Sequence, residues 1–270
     1  MIIDTHTHVV PDKVAQKIAE ISAAHFASAG MKLSGPMTFT GLIAAMKANS
    51  IDKACVFCVA EKPSVVRPSN EFLASHAAPE FILLGAVHPD TSDPRAEVDY
   101  LRQHGFKGIK FHSIFQDFYP DEDRLLRVYQ EMGSNMVAYF HMGADPGAKD
   151  KEAKATPERL ARVIKMFPKL KIVAAHFGGM FMIKEARKHL YGKDVYLDTC
   201  YAHGAQTLGQ DQVLRIIKEH GSDKFLFASD YPFGEQGPEI RWIESLPLPV
   251  KDKENILFRN AARLFSVKAP

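Results

Sequence analysis

Phe106-Lys-Gly-Ile-Lys-Phe-His112 begins the stretch that decides how the rest of the chain reads. It is a short apolar run closed by a histidine. A segment of helical periodicity follows over 121–132, and then a second short run, Met136-Val-Ala-Tyr-Phe-His141, also closes on a histidine. Short runs rich in aromatic and β-branched residues predict strands, and the longer periodic segment between them predicts a helix.

Outward in both directions the same alternation recurs. Strands are expected at 2–6, 53–60, 81–88, 106–112, 136–141, 171–176, 194–199 and 225–230. Helices are expected near 40–49, 69–78, 94–104, 121–132, 156–167, 180–190 and 209–220, with Ser69, Asp93 and Thr156 as caps and Pro157 at a first helical position. Strands separated by helices pair in parallel, and closure is the simplest arrangement for eight of them. The expected fold is α/β, a (β/α)8 TIM barrel forming a single domain over 1–270, a usual length for that architecture. Two departures are expected. An insertion after the first strand, 11–38, carries an amphipathic helix (Val14, Ile18, Ile21) placed over the barrel mouth. Extra C-terminal helices occupy 239–265, the last of them packing as a closing helix.

Composition narrows the function classes. Basic and acidic residues number 34 and 32, for a formal net charge of +2, so no nucleic-acid or membrane partner is expected. There is no apolar run of transmembrane length and no basic-then-apolar leader pattern, from which a cytoplasmic location is expected. Three cysteines do not make a disulfide framework. Cys55 and Cys58 form a C-x-x-C, but on a strand residues three apart face opposite ways, so two separate buried cysteines are expected.

The strand ends carry the chemistry. They present His6 and His8, Glu61, His88, Lys110 and His112, His141, His176, Asp198 and Asp230. In a barrel these ends converge on one mouth. His6 and His8, two apart on a strand, reach the same side. Asp4 shares their parity and either orients an imidazole or bonds to backbone. His141 and His176 each end an apolar run just ahead of glycine. Asp230 ends Phe225-Leu-Phe-Ala-Ser-Asp230, where a carboxylate is costly unless paired or metal-bound. Three histidines and a carboxylate make a nitrogen and oxygen donor set suited to zinc or another first-row metal. His25, His104, His189 and His220 fall on helices or helix ends and read as solvated. Arg67, on the loop after the second strand, is a candidate for an anionic substrate group. Phe115, in the apolar loop 113–120, is a candidate pocket wall.

The order of these pieces resembles the amidohydrolase superfamily, in its amidohydrolase-related branch that includes aminocarboxymuconate-semialdehyde decarboxylase. The matching segments are Ile3-Asp-Thr-His-Thr-His8, Gly108-Ile-Lys-Phe-His112, Ala175-His-Phe-Gly-Gly179, Leu197-Asp-Thr199, Ala228-Ser-Asp-Tyr-Pro232 and Asn260-Ala-Ala-Arg-Leu-Phe265, and they span the chain. The resemblance implies that His6, His8, His141 and Asp230 hold the metal. It implies that Asp230 takes a proton from a metal-activated water and that His176 contacts that water or the substrate. Lys110 is either carboxylated between two metals, as in some branches, or an ammonium facing a substrate carboxylate or oxyanion; one ion is favoured over two, with His112 as a further substrate contact. The expected reaction is hydrolysis of a small ester, lactone or amide. The alternative is non-oxidative decarboxylation of an unsaturated or aromatic acid, and a non-catalytic metal-binding barrel is a third class. The partner is a small-molecule substrate. A homodimer enters from the resemblance alone.

Overall fold

The structure is a computed structural model that describes residues 1–147 and 152–268. Eight parallel strands form one sheet in sequential order: β1 Ile3–His8, β2 Lys53–Phe57, β3 Phe81–Ala86, β4 Gly108–Phe111, β5 Val137–Phe140, β6 Lys171–Ala174, β7 Tyr196–Asp198 and β8 Phe225–Leu226. Just past β8 the chain comes back to β1. Thr5 N donates to Phe227 O at 2.9 Å and His8 N to Tyr231 O at 2.7 Å, which brings the sheet round to a nearly closed (β/α)8 barrel. All eight expected strands are present. From β2 to β8 the ladders stop short of the expected C-terminal ends, while β1 runs two residues past its own to His8; after β6 and β8 the chain turns sharply. His176, Phe177 and Asp230 have φ of 61°, 54° and 62°, a left-handed conformation that is uncommon for side-chain-bearing residues and clusters at functional sites.

Strand residues divide between two cores. Ile3, Cys55, Phe57, Ile82, Leu84, Val137, Tyr139, Val173 and Leu226 pack together inside the barrel. The closing helix α11, Asn260–Phe265, adds Ala261, Leu264 and Phe265 to the same cluster. The larger core lies between strands and surrounding helices. Cys55 belongs to the inner core and Cys58 to the outer one, as opposite facing on a strand requires.

The surrounding helices in chain order are α1 Asp12–Phe26, α2 Phe39–Ala48, α3 Pro63–Ser75, α4 Pro94–Gln103, α5 Asp123–Met132, α6 Pro157–Met166, α7 Ile183–His189, α8 Gln210–His220, α9 Gln236–Ser245 and α10 Val250–Glu254. Asp93 caps α4 by accepting from Ala96 N at 3.0 Å, and Thr156 caps α6 by accepting from Arg159 N at 3.3 Å. Ser69 is not a cap. α3 begins six residues earlier with Pro63 in its first turn, where a missing N–H costs nothing, and Pro68 lies inside the helix. Arg67 is therefore helical and not on a loop. No helix among the described residues is long and apolar enough to cross a membrane.

Candidate active site

The floor of the site is built at the C-terminal ends of the strands. The register of β1 against β2 shifts between Asp4 and Thr7, an irregularity of the kind that re-aims side chains beside active sites. Asp4 consequently does not orient an imidazole. It accepts from Ser229 N at 3.0 Å, Ser229 Oγ at 2.6 Å and Gln236 Nε2 at 2.9 Å, fastening β1 to the turn after β8 and to α9. Burial pushes its carboxyl up to about 6, against the lowering effect of those donors.

Asp198 takes the orienting role. It lies 2.8 Å from His6 Nδ1, and it accepts from Tyr139 OH at 2.6 Å and from His176 N at 2.6 Å. The other nitrogen of His6, Nε2, accepts from Lys110 Nζ at 2.8 Å and lies 3.2 Å from Asp230 Oδ1. His8 Nε2 lies 3.1 Å from the same carboxylate oxygen. His176 Nε2 is 2.9 Å from His141 Nδ1, and His176 Nδ1 faces Cys200 O at 3.4 Å. A hydrogen-bond chain from His141 Nδ1–H through His176 to Cys200 leaves the lone pair on His141 Nε2. That atom is buried and has no partner among the described residues, and the same is true of His112 Nδ1.

The electrostatics keep these groups in metal-binding forms. Burial, reinforced by the Lys110 charge, lowers the pKa of His6 well below the imidazole range and that of His141 to about 4. Burial lowers His8, partly offset by Asp230, and it lowers His176 and His112, each reinforced by His141. Burial alone would raise Asp230, but His6, His8 and His176 outweigh it and hold the carboxyl well below the usual range. The result is neutral imidazoles around an ionised carboxylate, the donor state a divalent metal needs.

Two ligand sets overlap here. The sequence points to His6, His8, His141 and Asp230. The ligand atoms lying within 4.8 Å of one another belong to His6, His176, Cys200 and Asp230. His6 and Asp230 are common to both. Cys200 is the poorest donor of the six. Burial and then Asp198 push its thiol well up, and its Sγ donates to Asp198 Oδ1 at 3.2 Å. His176 already turns Nε2 to His141. The unpartnered His141 Nε2 and the oxygen shared by His6 and His8 fit a metal better.

Above this floor lies a chamber of about 280 Å³, at the small end of ligand pockets. His8, His112, His141 and Asp230 line its base. Phe57, Phe115, Phe233, Met37 and Met180 form much of its apolar walls, and α1 covers it with Ile18, Ile21, His25 and Phe26, as the amphipathic pattern of 11–38 predicts. His112 is stacked between His141 and Phe115, at 4.1 and 4.2 Å between ring centroids.

Several expected site residues sit elsewhere. Lys110 does not line the chamber. It is buried beneath His6, with Nζ over the rings of Phe57 and Tyr139 at 4.5 and 4.7 Å, and burial lowers its pKa to about 8. Arg67 is also outside the lining, paired with Glu97 at 3.0 Å and stacked on Tyr100 at 3.8 Å. His88 accepts from Asp90 N at 3.1 Å and is likewise outside. Two histidines read as solvated are not. His220 is buried, with Nε2 2.9 Å from Val195 O, and His25 lines the chamber with Nε2 2.9 Å from Asp145 Oδ1. The His25–Asp145 pair carries no motif, and Asp198, which stands among the strand-end residues and in Leu197-Asp-Thr199, gains from the structure the partners that no motif assigns it.

Fold and site together define a barrel enzyme with a metal-type centre at the C-terminal mouth. The chain belongs to the amidohydrolase family whose profile matches residues 3–267. No curated protein matches it by sequence. Among solved structures it is similar to 5-carboxyvanillate decarboxylase from Sphingomonas paucimobilis, with TM-score 0.73, 19% identity and 99% of each chain covered. It is similar to 2,6-dihydroxybenzoate decarboxylase from Rhizobium, with TM-score 0.72, 15% identity and 99% of each chain covered. A protein from Pseudomonas putida assigned as a 2-pyrone-4,6-dicarboxylic acid hydrolase also aligns, with TM-score 0.70, 14% identity and coverage of 100% of this chain and 98% of that one. A 5-carboxyvanillate decarboxylase from Novosphingobium aromaticivorans, at 17% identity and TM-score 0.72, with 98% of this chain and 96% of that one covered, was solved with manganese.

Proposed function

We propose that the chain is a metal-dependent decarboxylase acting on a small aromatic or unsaturated carboxylic acid. The observation that carries this reading is the contrast within one chamber. An ionised carboxylate and neutral imidazoles form the base, the walls are largely aromatic and aliphatic, and no arginine or lysine is among the described lining residues. A carboxylate that departs as CO2 loses its charge, and an apolar chamber favours that loss. The decarboxylases of the same fold support the choice. Hydrolysis of an ester, lactone or amide is the second reading, favoured by the ionised Asp230 as a base for water.

His6, His8, His141 and Asp230 would hold one divalent ion, zinc by the preponderance of imidazole or manganese as in the Novosphingobium enzyme. Bound there, the ion supplies Lewis-acid polarisation of substrate oxygens. The residues do the rest. When the bond to the carboxylate carbon breaks, its electron pair stays on the substrate carbon, which takes up one proton as CO2 leaves. Asp230, ionised and facing the chamber, accepts a proton from an acidic substrate hydroxyl or from solvent and returns it to that carbon. His112 offers its unpartnered Nδ1 to a substrate oxygen, and Phe115 gives the substrate ring a stacking surface. His176 fixes His141 from behind.

The test incubates metal-loaded protein with hydroxylated aromatic acids, unsaturated acids, esters, lactones and amides while CO2 and acid release are followed. CO2 from at least one acid is expected, reduced about 10²–10⁴-fold in Asp230→Asn. Turnover of a lactone or amide with no CO2 from any acid would overturn the decarboxylase reading. Elemental analysis should give one ion per chain, largely lost in His141→Ala.

A further inference from the structure

We propose that His25, clasped by Asp145, reads a hydroxyl group on the edge of the substrate that points away from the metal centre. This rests on the decarboxylase reading and adds the feature that selects among acids. His25 lies on the inner face of α1 beside Ile18 and Ile21, so the covering helix brings it to the chamber. Its Nε2 donates to Asp145 Oδ1 at 2.9 Å, and the same oxygen accepts from Gly147 N at 2.7 Å. The loop is pressed against this edge of the ring. A Cβ on Gly147 would lie 2.5 Å from His25 Cδ2 and 2.7 Å from Nε2.

One edge of the imidazole is therefore committed to the loop after β5. Nδ1, on the other side of the ring, has no hydrogen-bond partner among the described residues. With the proton on Nε2, held there by the Asp145 carboxylate, Nδ1 is an acceptor, and its complement is an O–H donor. A second carboxylate would meet a lone pair there, and no arginine or lysine among the described lining residues would compensate it.

The geometry also sets where this hydroxyl belongs. Four rings make one wall of the chamber. From His141 the centroid spacing is 4.1 Å to His112, 4.2 Å from there to Phe115, and 5.8 Å from Phe115 to His25. A planar acid with its carboxylate at the His141 and Asp230 end lies along this wall, and its opposite edge meets His25. The selected substrates carry a hydroxyl at ring positions remote from the carboxylate.

Calorimetric titration of the metal-loaded protein with benzoate, 3-hydroxybenzoate and 4-hydroxybenzoate tests this without requiring turnover. The protein should bind at least one hydroxylated acid about tenfold or more tightly than benzoate, the usual discrimination of a site built to bond a hydroxyl. His25→Phe keeps a ring against Phe26 and Phe115 and should erase that preference, read as the ratio of hydroxylated-acid to benzoate affinity in the same protein. Asp145→Asn leaves the imidazole in place but releases its tautomer, and it should lose part of the preference. This variant carries the test should His25→Phe melt early. Equal binding of all three acids by the unaltered protein, or an undiminished preference in both variants, overturns the role of His25 and leaves the decarboxylase reading standing. Failure of all three acids to bind, with a lactone or amide turned over, removes both.

Discussion

The floor and the roof of the chamber are held by different means. On the floor, Asp198 at the end of β7 gathers partners from β1, from β5 and from the turn after β6, and fixes His6, Tyr139 and His176 at once. His6 and His141 are thus backed by Asp198 and His176, while His8 and Asp230 hold each other. The roof is α1, which has no buried residue and is tied down chiefly by the His25–Asp145 hydrogen bond and by Phe26 against Phe233, 5.0 Å between ring centroids. A site that must hold reacting groups to a fraction of an ångström needs the first kind of construction. A surface that chooses substrates needs only a few contacts and tolerates exchange. On the proposed function, the floor holds the reacting groups and the roof bears on substrate choice.

Two buried acids put that contrast at risk in opposite ways. Asp198 is compensated by several donors, whereas Glu239, on α9 at the rim, accepts from Ala205 N at 3.2 Å. Burial raises its carboxyl to about 7 from an ordinary 4.5, the Ala205 donor opposes this, and nearby Asp4 adds to it. A raised acid favours the native state in its protonated form. That contribution is complete below pH 4.5 and is lost as pH rises through about 7. The loss by pH 8 is about 3 kcal/mol. Glu239→Gln should remove this slope, so that urea unfolding finds the variant more stable than the parent at pH 8 and equal to it near pH 4.5. Parallel pH profiles for the two proteins would show that the rim acid is as well compensated as the floor acid.

The floor gives the next effect. Asp198→Asn keeps the shape but offers an amide where His6 Nδ1 donates, so the imidazole loses its fixed tautomer. Metal affinity, measured against a competing chelator, should fall about 10–100-fold. Folding is checked by the melting temperature of the metal-free protein. Unchanged metal affinity would mean that the floor does not depend on its supports, and the comparison with the roof would lose its basis.

Most of the floor was legible because barrel strands impose a simple grammar. Apolar runs ending in His6, His8, His141, His176 and Asp230 point to one mouth whatever the rest of the chain does. Asp198 carried the same signal as Asp230, a carboxylate ending an apolar run, but it was not given a role because its partners come from β1, β5 and β6, a pairing no local pattern contains. Asp4 was ambiguous for a related reason. A register shift within β1 breaks the parity rule, and nothing in Ile3-Asp-Thr-His announces it. His25 was missed despite a usable signal. It stands four residues after Ile21 and seven after Ile18, on the very face that the amphipathic pattern turns toward the mouth. Lys110 was assigned the correct side of its strand but the wrong depth, since periodicity gives facing and not distance from the opening.

Arg67 yields the smallest effect and separates the site from its surroundings. A loop position after β2 would have left its guanidinium free to meet an anion. The helical start at Pro63 instead turns it outward, where it pairs with Glu97 and covers the Tyr100 ring. Its side chain is 38% exposed and that of Glu97 is 17% exposed, so solvent screens most of the ion pair. The cation–π contact adds a comparable small amount. Arg67→Ala should therefore cost about 1 kcal/mol or less in urea unfolding. The fraction of a turn it loosens lies on the outer face of the barrel, away from Asp230 and Phe115. KM and kcat for any acid the protein turns over should stay within about twofold, because neither Arg67 nor its partners Glu97 and Tyr100 are among the described lining residues. A tenfold rise in KM at unchanged stability would return this arginine to the substrate and show that the chamber extends past the walls assigned to it.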